Sequence, residues 1–201
     1  KALPRMRLPL FGLCLLLAPP AGAADFYVDP VSGNDSGPGS AASPWRTLQT
    51  VLDTKIETQN WSSLPYQPGA TLVPFHVGAP VKAGDTIWLR SGYHGAVVLQ
   101  SAYNASPVTV AAQPGHVPRL KSLVVQAAQH WVLRGLSLSP SHAPPLAAIT
   151  IVSVRDHSFF GPAWDVTVVD SDVFTVDDAS AWTATQWVSP ASSGGSGGAG
   201  R

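Results

Sequence analysis

The second half of the chain consists of short apolar runs separated by turn-forming residues, with no helical period between them. Seven of these runs are predicted strands: residues 86–89, 96–99, 108–112, 120–125, 131–138, 149–154 and 166–174. Apolar and polar residues alternate within a run, as in Leu136-Ser-Leu138, so each strand has one buried and one exposed face. Short strands without helical crossovers predict a sandwich, a barrel or a solenoid.

The spacing of the runs favours the solenoid. One apolar position recurs at intervals of 26 residues, at Val97, Leu123 and Ile149. Another set recurs with a longer last interval, near Val108, Val132 and Thr167. Both intervals are close to one coil of a β-solenoid, in which equivalent strands pair in parallel. Residues 157–163 are predicted to loop out of the longer coil.

The N-terminal part follows a different pattern. Residues 25–31 predict a short strand, and the Gly- and Ser-rich stretch after it predicts turns. Ser43 is the predicted N-cap, and Pro44 the first residue, of an amphipathic helix that ends at Ile56. The apolar face of this helix would cover the first coil, where strand edges would otherwise be unpaired.

Both ends of the chain resemble processing or linker segments. Arg5 and Arg7 precede an apolar run and a small-residue cleavage site, which is the layout of a secretory signal peptide. The only cysteine, Cys14, lies in that run, so a disulfide or a Cys-based metal site is not expected in the exported chain. The predicted units are the signal peptide (1–24), an N-terminal strand and capping helix (25–58), a loop or insertion (59–82), the coils (83–188) and a flexible Gly/Ser-rich tail (189–201).

The charge of the chain narrows the range of partners. Twelve basic residues balance twelve acidic ones, but three of the basic residues lie in the signal peptide, which leaves a net charge of about −3. Such a chain offers no basic surface for nucleic acid or for an anionic membrane. With the signal peptide, this predicts a secreted protein, extracellular or periplasmic, without a nucleic-acid or membrane partner. We also expect it to be a monomer.

The order of motifs resembles that of secreted bacterial right-handed parallel β-helix proteins of the pectate-lyase-like superfamily, which include relatives of alginate and chondroitin polysaccharide lyases. The matching residues near the N-terminus are Tyr27-Val-Asp-Pro, Gly33-Asn-Asp35, Gly39, Pro44-Trp45 and Thr47-Leu48. Those further along are Gly84-Asp-Thr-Ile87, Arg90, Gly92, Pro114-Gly-His-Val-Pro118 and Trp131-Val-Leu-Arg-Gly-Leu136. The resemblance implies an all-β fold, a right-handed parallel β-helix with an N-terminal capping helix that is truncated after about three coils.

The resemblance also implies a function on acidic polysaccharides. The first expectation is a fragment of an enzyme that cleaves such a polymer by β-elimination, with glycoside hydrolysis as a variant. The alternative is a non-catalytic extracellular module that binds polysaccharide or serves as a structural rod. Catalytic groups of the relatives tend to lie in later coils, so no catalytic residue is assigned.

Four carboxylates near the end of the strand region are the candidate metal ligands: Asp170, Asp172, Asp177 and Asp178. If residues 166–174 form one strand, Asp170 and Asp172 point the same way, and convergent oxygen ligands of this kind can bind Ca²⁺. The other interpretation is a solvated strand face and turn. Calcium is the only cofactor that the sequence suggests.

Candidate substrate-binding residues are two arginines and two tryptophans: Arg134, Arg155, Trp182 and Trp187. An Arg on a strand can form a bidentate pair with the carboxylate of a uronate, and an indole ring can contact a sugar ring. Each also has a structural interpretation, since Arg134 could bind carbonyls within the coils and tryptophans are usually buried.

Overall fold

A computed structural model of the chain describes residues 22–143 and 150–176. The described residues form one helix, α1 (Leu48–Thr54), and one 3₁₀ turn (Pro140–His142). They also form ten strands: β1 (Asp25–Val28), β2 (Thr58–Trp61), β3 (Leu72–Phe75), β4 (Thr86–Leu89), β5 (Gly92–Ala112), β6 (Pro118–Arg134), β7 (Ser137–Leu138), β8 (Val152–Arg155), β9 (Trp164–Val169) and β10 (Asp172–Val173). The protein is all-β, as the sequence predicts.

Parallel pairing arranges most strands in three ladders. The first ladder contains β1, β4, the end of β5, the end of β6, and β9. The second contains the starts of β5 and β6, then β7 and β10. The third contains the middle parts of β5 and β6, then β8. The chain visits the ladders in this order and returns to the first, so the parallel sheet is curled into a half-barrel.

The registers test the predicted spacing. Val97 pairs with Leu123, which confirms the 26-residue interval. We call one passage of the chain through the three ladders a circuit. Leu123 then pairs with Val152 rather than with Ile149, because the segment between β7 and β8 adds residues to that circuit. In the first ladder the predicted pairing of Val132 with Thr167 is confirmed.

Bends between ladders recur at residues with a positive φ. Ser101 (φ 53°) and Ala127 (φ 51°) are equivalent positions after a strand segment of the third ladder. His130 (φ 57°) and Asp165 (φ 51°) are equivalent positions before the first ladder. Non-glycine residues adopt this conformation only at a cost, so its repetition shows that the same bend is required in successive circuits.

Inward-facing side chains form a single apolar core. Every ladder contributes fully buried residues, among them Ile87, Leu120, Leu123, Val125, Leu133 and Leu138. The ring of Trp131 is buried with them, and its indole N–H donates to the carbonyl oxygen of Ala102 at 2.9 Å. The outward-facing residues of the same strands are available for other contacts.

The N-terminal segment differs in detail from the predicted one. Trp45 pairs in parallel with Val28, so this stretch extends the first ladder instead of beginning a helix. The predicted helix start is wrong: α1 begins at Leu48, after Thr47, and has no side-chain cap. The Asx side chains of the preceding loop hydrogen-bond backbone N–H groups, as in turns: Asp29 accepts from Val31 and Ser32, and Asp35 from Arg46 and Thr47.

The helix lies beside the third ladder. Its buried face, with Leu48, Val51 and Leu52, joins the core. Gln49 makes a pair of hydrogen bonds with the backbone of Val98: its amide nitrogen donates to the Val98 carbonyl oxygen at 2.8 Å, and its amide oxygen accepts from the Val98 N–H at 2.9 Å. A side chain thus occupies a strand edge where another strand would otherwise pair.

Two irregular segments lie together at one side of the sheet. The stretch predicted as a loop, 59–82, contains an antiparallel hairpin of β2 and β3. The loop between β8 and β9 contains a short bridge between His157 and Gly161, and the Tyr103 hydroxyl, which lies 2.9 Å from the Phe160 carbonyl oxygen, fixes it. Partial burial raises the pKa of Tyr103 to about 12, so this hydroxyl stays protonated and remains a donor at neutral pH.

No helix in the described ranges is long and apolar enough to cross a membrane. Residues 1–21 of the predicted signal peptide, the end of the predicted coils (177–188), the whole predicted tail (189–201) and the first residue of the strand predicted at 149–154 lie outside the described residues.

We predict that Gly161→Ala destabilises the protein. Gly161 has φ 103°, and a Cβ there would lie 2.6 Å from Trp61 Nε1. Both backbone strain and a clash should lower the free energy of unfolding, by about 2 kcal/mol or more. Gly69→Ala is the control, since Gly69 has a similar φ of 92° but open space around the position of a Cβ. Chemical denaturation would contradict the packing argument if both variants lost the same stability.

We also predict that His94 makes the fold sensitive to mild acid. Burial lowers the pKa of His94 below its ordinary value of 6.5, against opposing effects of the Arg90 carbonyl and of Asp29. Its Nε2 lies 2.8 Å from that carbonyl oxygen, and Nδ1 has no hydrogen-bond partner among the described residues. The unfolded chain therefore takes up a proton at a higher pH than the folded chain, and stability is lost as pH falls below about 6.5.

The measurement is the melting temperature between about pH 7.5 and about pH 5. The decrease should be smaller in His94→Gln than in the unsubstituted protein. His157→Gln, which leaves His94 in place, should keep the full decrease. An equal decrease in all three proteins would show that His94 is not the group responsible.

Candidate functional site

A groove of about 360 Å³ lies between α1, the β2–β3 hairpin and the first segment of the third ladder. Its apolar lining includes Phe75 and Val98, which are 43% and 38% exposed. Phe160, from the loop between β8 and β9, also lines it. Exposed apolar surface of this kind, next to polar groups, is typical of binding sites.

Polar side chains complete the lining of the groove. Asp53 comes from the end of α1, Asn60 from β2 and His76 from the end of the hairpin. The Asn60 side-chain oxygen accepts a hydrogen bond from the Ser101 hydroxyl at 2.8 Å, which fixes the hairpin to the strand. Hydrogen-bonding groups and aromatic rings therefore face the same space.

A row of three polar side chains leads away from the groove across successive strands of the third ladder. Gln100, Gln126 and Arg155 occupy the same register position on β5, β6 and β8. The Gln126 amide nitrogen donates to the Gln100 amide oxygen at 2.9 Å. Arg155 donates to the Gln126 amide oxygen through two nitrogens, at 3.2 and 3.0 Å. We call these three residues the third-ladder row.

The row holds one charge in a defined place. Gln126 is 7% exposed, so its amide is fixed by neighbours on both sides, whereas Arg155 lies on the exposed part of β8. Among the described residues, both hydrogen bonds of the guanidinium go to a neutral amide, and Arg155 forms no ion pair there. Arg155 therefore keeps its positive charge available for an anion.

Arg134, the other arginine predicted for substrate, lies elsewhere. Its Nε is 3.2 Å from the carboxylate of Asp170, and both side chains are more than half exposed. An ion pair of this kind at the surface contributes little stability. It does neutralise the positive charge of Arg134, which binding of a uronate carboxylate would require. The two arginines of the prediction are thus not part of one site.

The strand on which the calcium prediction depended is interrupted. Residues 166–174 do not form one strand: Asp170 has φ 52°, and the chain bends there between β9 and β10. The condition under which Asp170 and Asp172 are expected to point the same way, a single strand over 166–174, is therefore not met. The described ranges contain no group of three His, Cys, Asp or Glu residues that could hold a metal ion. Asp177 and Asp178 lie outside the described residues, so calcium binding by all four carboxylates stays a prediction.

The predicted tryptophans Trp182 and Trp187 also lie outside the described residues. Trp61, in contrast, packs against Tyr66, Tyr103 and Trp164, with ring centroids 4.9, 5.1 and 6.3 Å away. This contact cluster supports the structural interpretation for that ring, which is the commoner one for large aromatics.

Sequence reasoning missed most of the groove. Gln100 and Gln126 are 26 residues apart, which is the predicted coil interval, so the period could have identified them as neighbours. Phe75 and His76 carry no comparable signal, because their place depends on how the hairpin folds over the third ladder. The groove and the row together can contact sugar rings, donate hydrogen bonds and attract a carboxylate.

In comparisons with known proteins, no protein-family model, no curated protein and no solved structure matches the chain.

Proposed function

We propose that the chain is an exported, right-handed parallel β-helix that binds an acidic polysaccharide along the groove and the third-ladder row. In this proposal α1 caps the N-terminal end of the helix. The observation that carries the binding proposal is the guanidinium of Arg155, which pairs with no carboxylate among the described residues. It lies at the end of a row of fixed amides that begins in an aromatic groove.

The β-helix is supported by the order in which the chain visits its ladders. Each return to the first ladder adds a parallel strand in register with the previous one. The equivalent positive-φ bends recur with the strands. The proposed capping role of α1 is supported by the hydrogen bonds between Gln49 and the strand edge at Val98.

The row suits an extended polymer better than a compact ligand. Its three side chains lie on adjacent parallel strands, which are about 4.8 Å apart. A chain of sugars that crosses the strands would meet the half-buried amide of Gln100 and the exposed guanidinium of Arg155, which can donate to a hydroxyl or a carboxylate. The buried Gln126 between them holds Arg155 in place. The aromatic and aliphatic side chains of the groove offer an apolar surface for sugar C–H groups.

The first test is binding to alginate, pectate and chondroitin sulfate, with a neutral dextran as the reference polymer. We predict that Arg155→Gln weakens binding to at least one acidic polymer about tenfold, since a charge-assisted hydrogen bond is worth about 1.5–3 kcal/mol. Affinity electrophoresis or calorimetry at low salt would measure the change. Dextran should not be retained by either protein.

Arg134→Gln is the matched control, because it removes the same charge from the Asp170 ion pair outside the row. Its affinity should stay close to that of the unsubstituted protein. Equal losses in the two variants would indicate an effect of net charge only and would contradict the assignment of the row. No retention of any acidic polymer by a folded protein would contradict the proposal itself.

The second candidate function is β-elimination in the same groove. The observation that favours it is His76, an imidazole in the lining of a groove whose row ends in the cation Arg155. Elimination requires a base that removes the proton next to the uronate carboxylate and a cation that stabilises the resulting negative charge, while the glycosidic oxygen leaves. His76 is the candidate for the base.

We predict for this candidate that a mixture of protein and polymer gains ultraviolet absorbance from the unsaturated product. His76→Ala should slow this gain about a hundredfold, the usual contribution of a general base. Retention of the polymer without any gain of absorbance would leave the non-catalytic binding module as the function.

A further inference from the structure

A second cleft, of about 380 Å³, lies on the outward side of the second ladder, away from the groove and its row. Its lining consists of Val117, Arg119, Ser137, Ser141, His142 and Phe174. Arg119 and Ser137 are register partners on β6 and β7. A cation and a hydroxyl therefore enter the cleft from neighbouring strands.

Ser137 and His142 are joined by a hydrogen bond. The Ser137 hydroxyl oxygen lies 3.0 Å from His142 Nε2, which is within the range expected of a nucleophile and its general base. Leu138 points into the core and is fully buried, so Ser137, its neighbour on a strand, faces outward into the cleft. The residue is 8% exposed, and this small accessible area opens into the cleft.

The imidazole is held in position from two sides. His142 ends the 3₁₀ turn, and the hydroxyl of Ser139, the N-cap of this turn, accepts a hydrogen bond from the Ser141 N–H at 3.1 Å. The ring also contacts Phe174 edge-on, with centroids 5.5 Å apart. Neither Ser137 nor His142 belongs to the apolar core. Core packing therefore does not explain why a fixed imidazole lies beside this serine hydroxyl.

We propose that this cleft is an ester-hydrolysing site, with Ser137 as nucleophile, His142 as general base and Arg119 as the group that attracts an anionic substrate. The substrate class is a small carboxylic ester that carries a negative charge. This site shares no residue with the polysaccharide groove and its row, and it lies on a different ladder. The ester-hydrolysis proposal and the polysaccharide proposal can therefore be contradicted independently.

The chemical steps balance within these residues and water. Ser137 Oγ bonds to the acyl carbon while His142 Nε2 accepts the hydroxyl proton, and the carbonyl oxygen becomes an oxyanion. Arg119 meanwhile binds the negative group that the substrate itself carries. Collapse breaks the bond to the alcohol, which leaves with the proton from His142. Water, activated by His142, then cleaves the acyl-serine, releases the carboxylic acid and restores Ser137.

The test begins with a fluorophosphonate probe, which labels activated serines. The full chain should gain one adduct by mass, located at Ser137 by peptide mapping, and Ser137→Ala should gain none. His142→Gln should be labelled about a hundredfold more slowly, because it lacks the base. Ser153→Ala, at a serine of the third ladder, is the control and should be labelled like the unsubstituted protein.

Circular dichroism and thermal melting of each variant separate loss of reaction from loss of fold, and Ser137→Ala removes only one hydroxyl. A folded protein that is not labelled, or labelling that persists in Ser137→Ala, would overturn the proposal. Labelling of His142→Gln at the full rate would show that the hydrogen bond is structural only.

The role of Arg119 is tested with two chromogenic esters, 4-nitrophenyl acetate and mono-4-nitrophenyl succinate. The unsubstituted protein should prefer the anionic succinate ester in kcat/KM, and Arg119→Gln should lose about tenfold of that preference while it still hydrolyses the acetate. An unchanged preference would remove Arg119 from the site.

Discussion

Parallel pairing requires the chain to travel round the molecule between one strand and its partner. Two antiparallel strands can be joined by a tight turn, but a parallel pair needs a long connection. In this protein the connection between paired strands of one ladder is supplied by strands of the other two ladders. The bends must then repeat at equivalent places, and the positive-φ residues Ser101 and Ala127 show that they do. The repeated bends also produce the apolar core, because they place the inward side chains of successive circuits above one another.

The same constraint explains which parts of the fold could be predicted. A period of 26 residues can be detected in one sequence, and it correctly places Val97 next to Leu123. It does not place Val152, because residues between β7 and β8 lengthen the next circuit and nothing in the local pattern fixes their number. Lengthening a connection between strands costs little free energy, so the interval is free to vary.

Local signals succeeded where the contacts are local. The Gly-rich loop after β1 forms the turns that its Asx and Gly residues predict, and Asp29 accepts hydrogen bonds from residues two and three positions later. Partial burial alone would raise the pKa of Asp29, but these donors, the Ser32 hydroxyl and Arg90 lower it to about 2. The prediction of a helix start at Ser43 and Pro44 was wrong because a contact with a distant part of the chain overrides the local preference. Their propensity favours a helix start, but Trp45 gains backbone hydrogen bonds to Tyr27 and Asp29 by joining the first ladder.

The candidate site was harder to predict than the fold because a side chain's chemistry depends on its neighbours in other circuits. In the sequence Arg134 and Arg155 are alike, as basic residues in or next to a predicted strand. In the structure Asp170 neutralises the first, whereas Gln126 orients the second and leaves it charged. The difference arises from the registers, which put a carboxylate next to one arginine and an amide next to the other. Ion pairing and hydrogen bonding between circuits, rather than residue type, therefore decide which outward side chains can bind an anion.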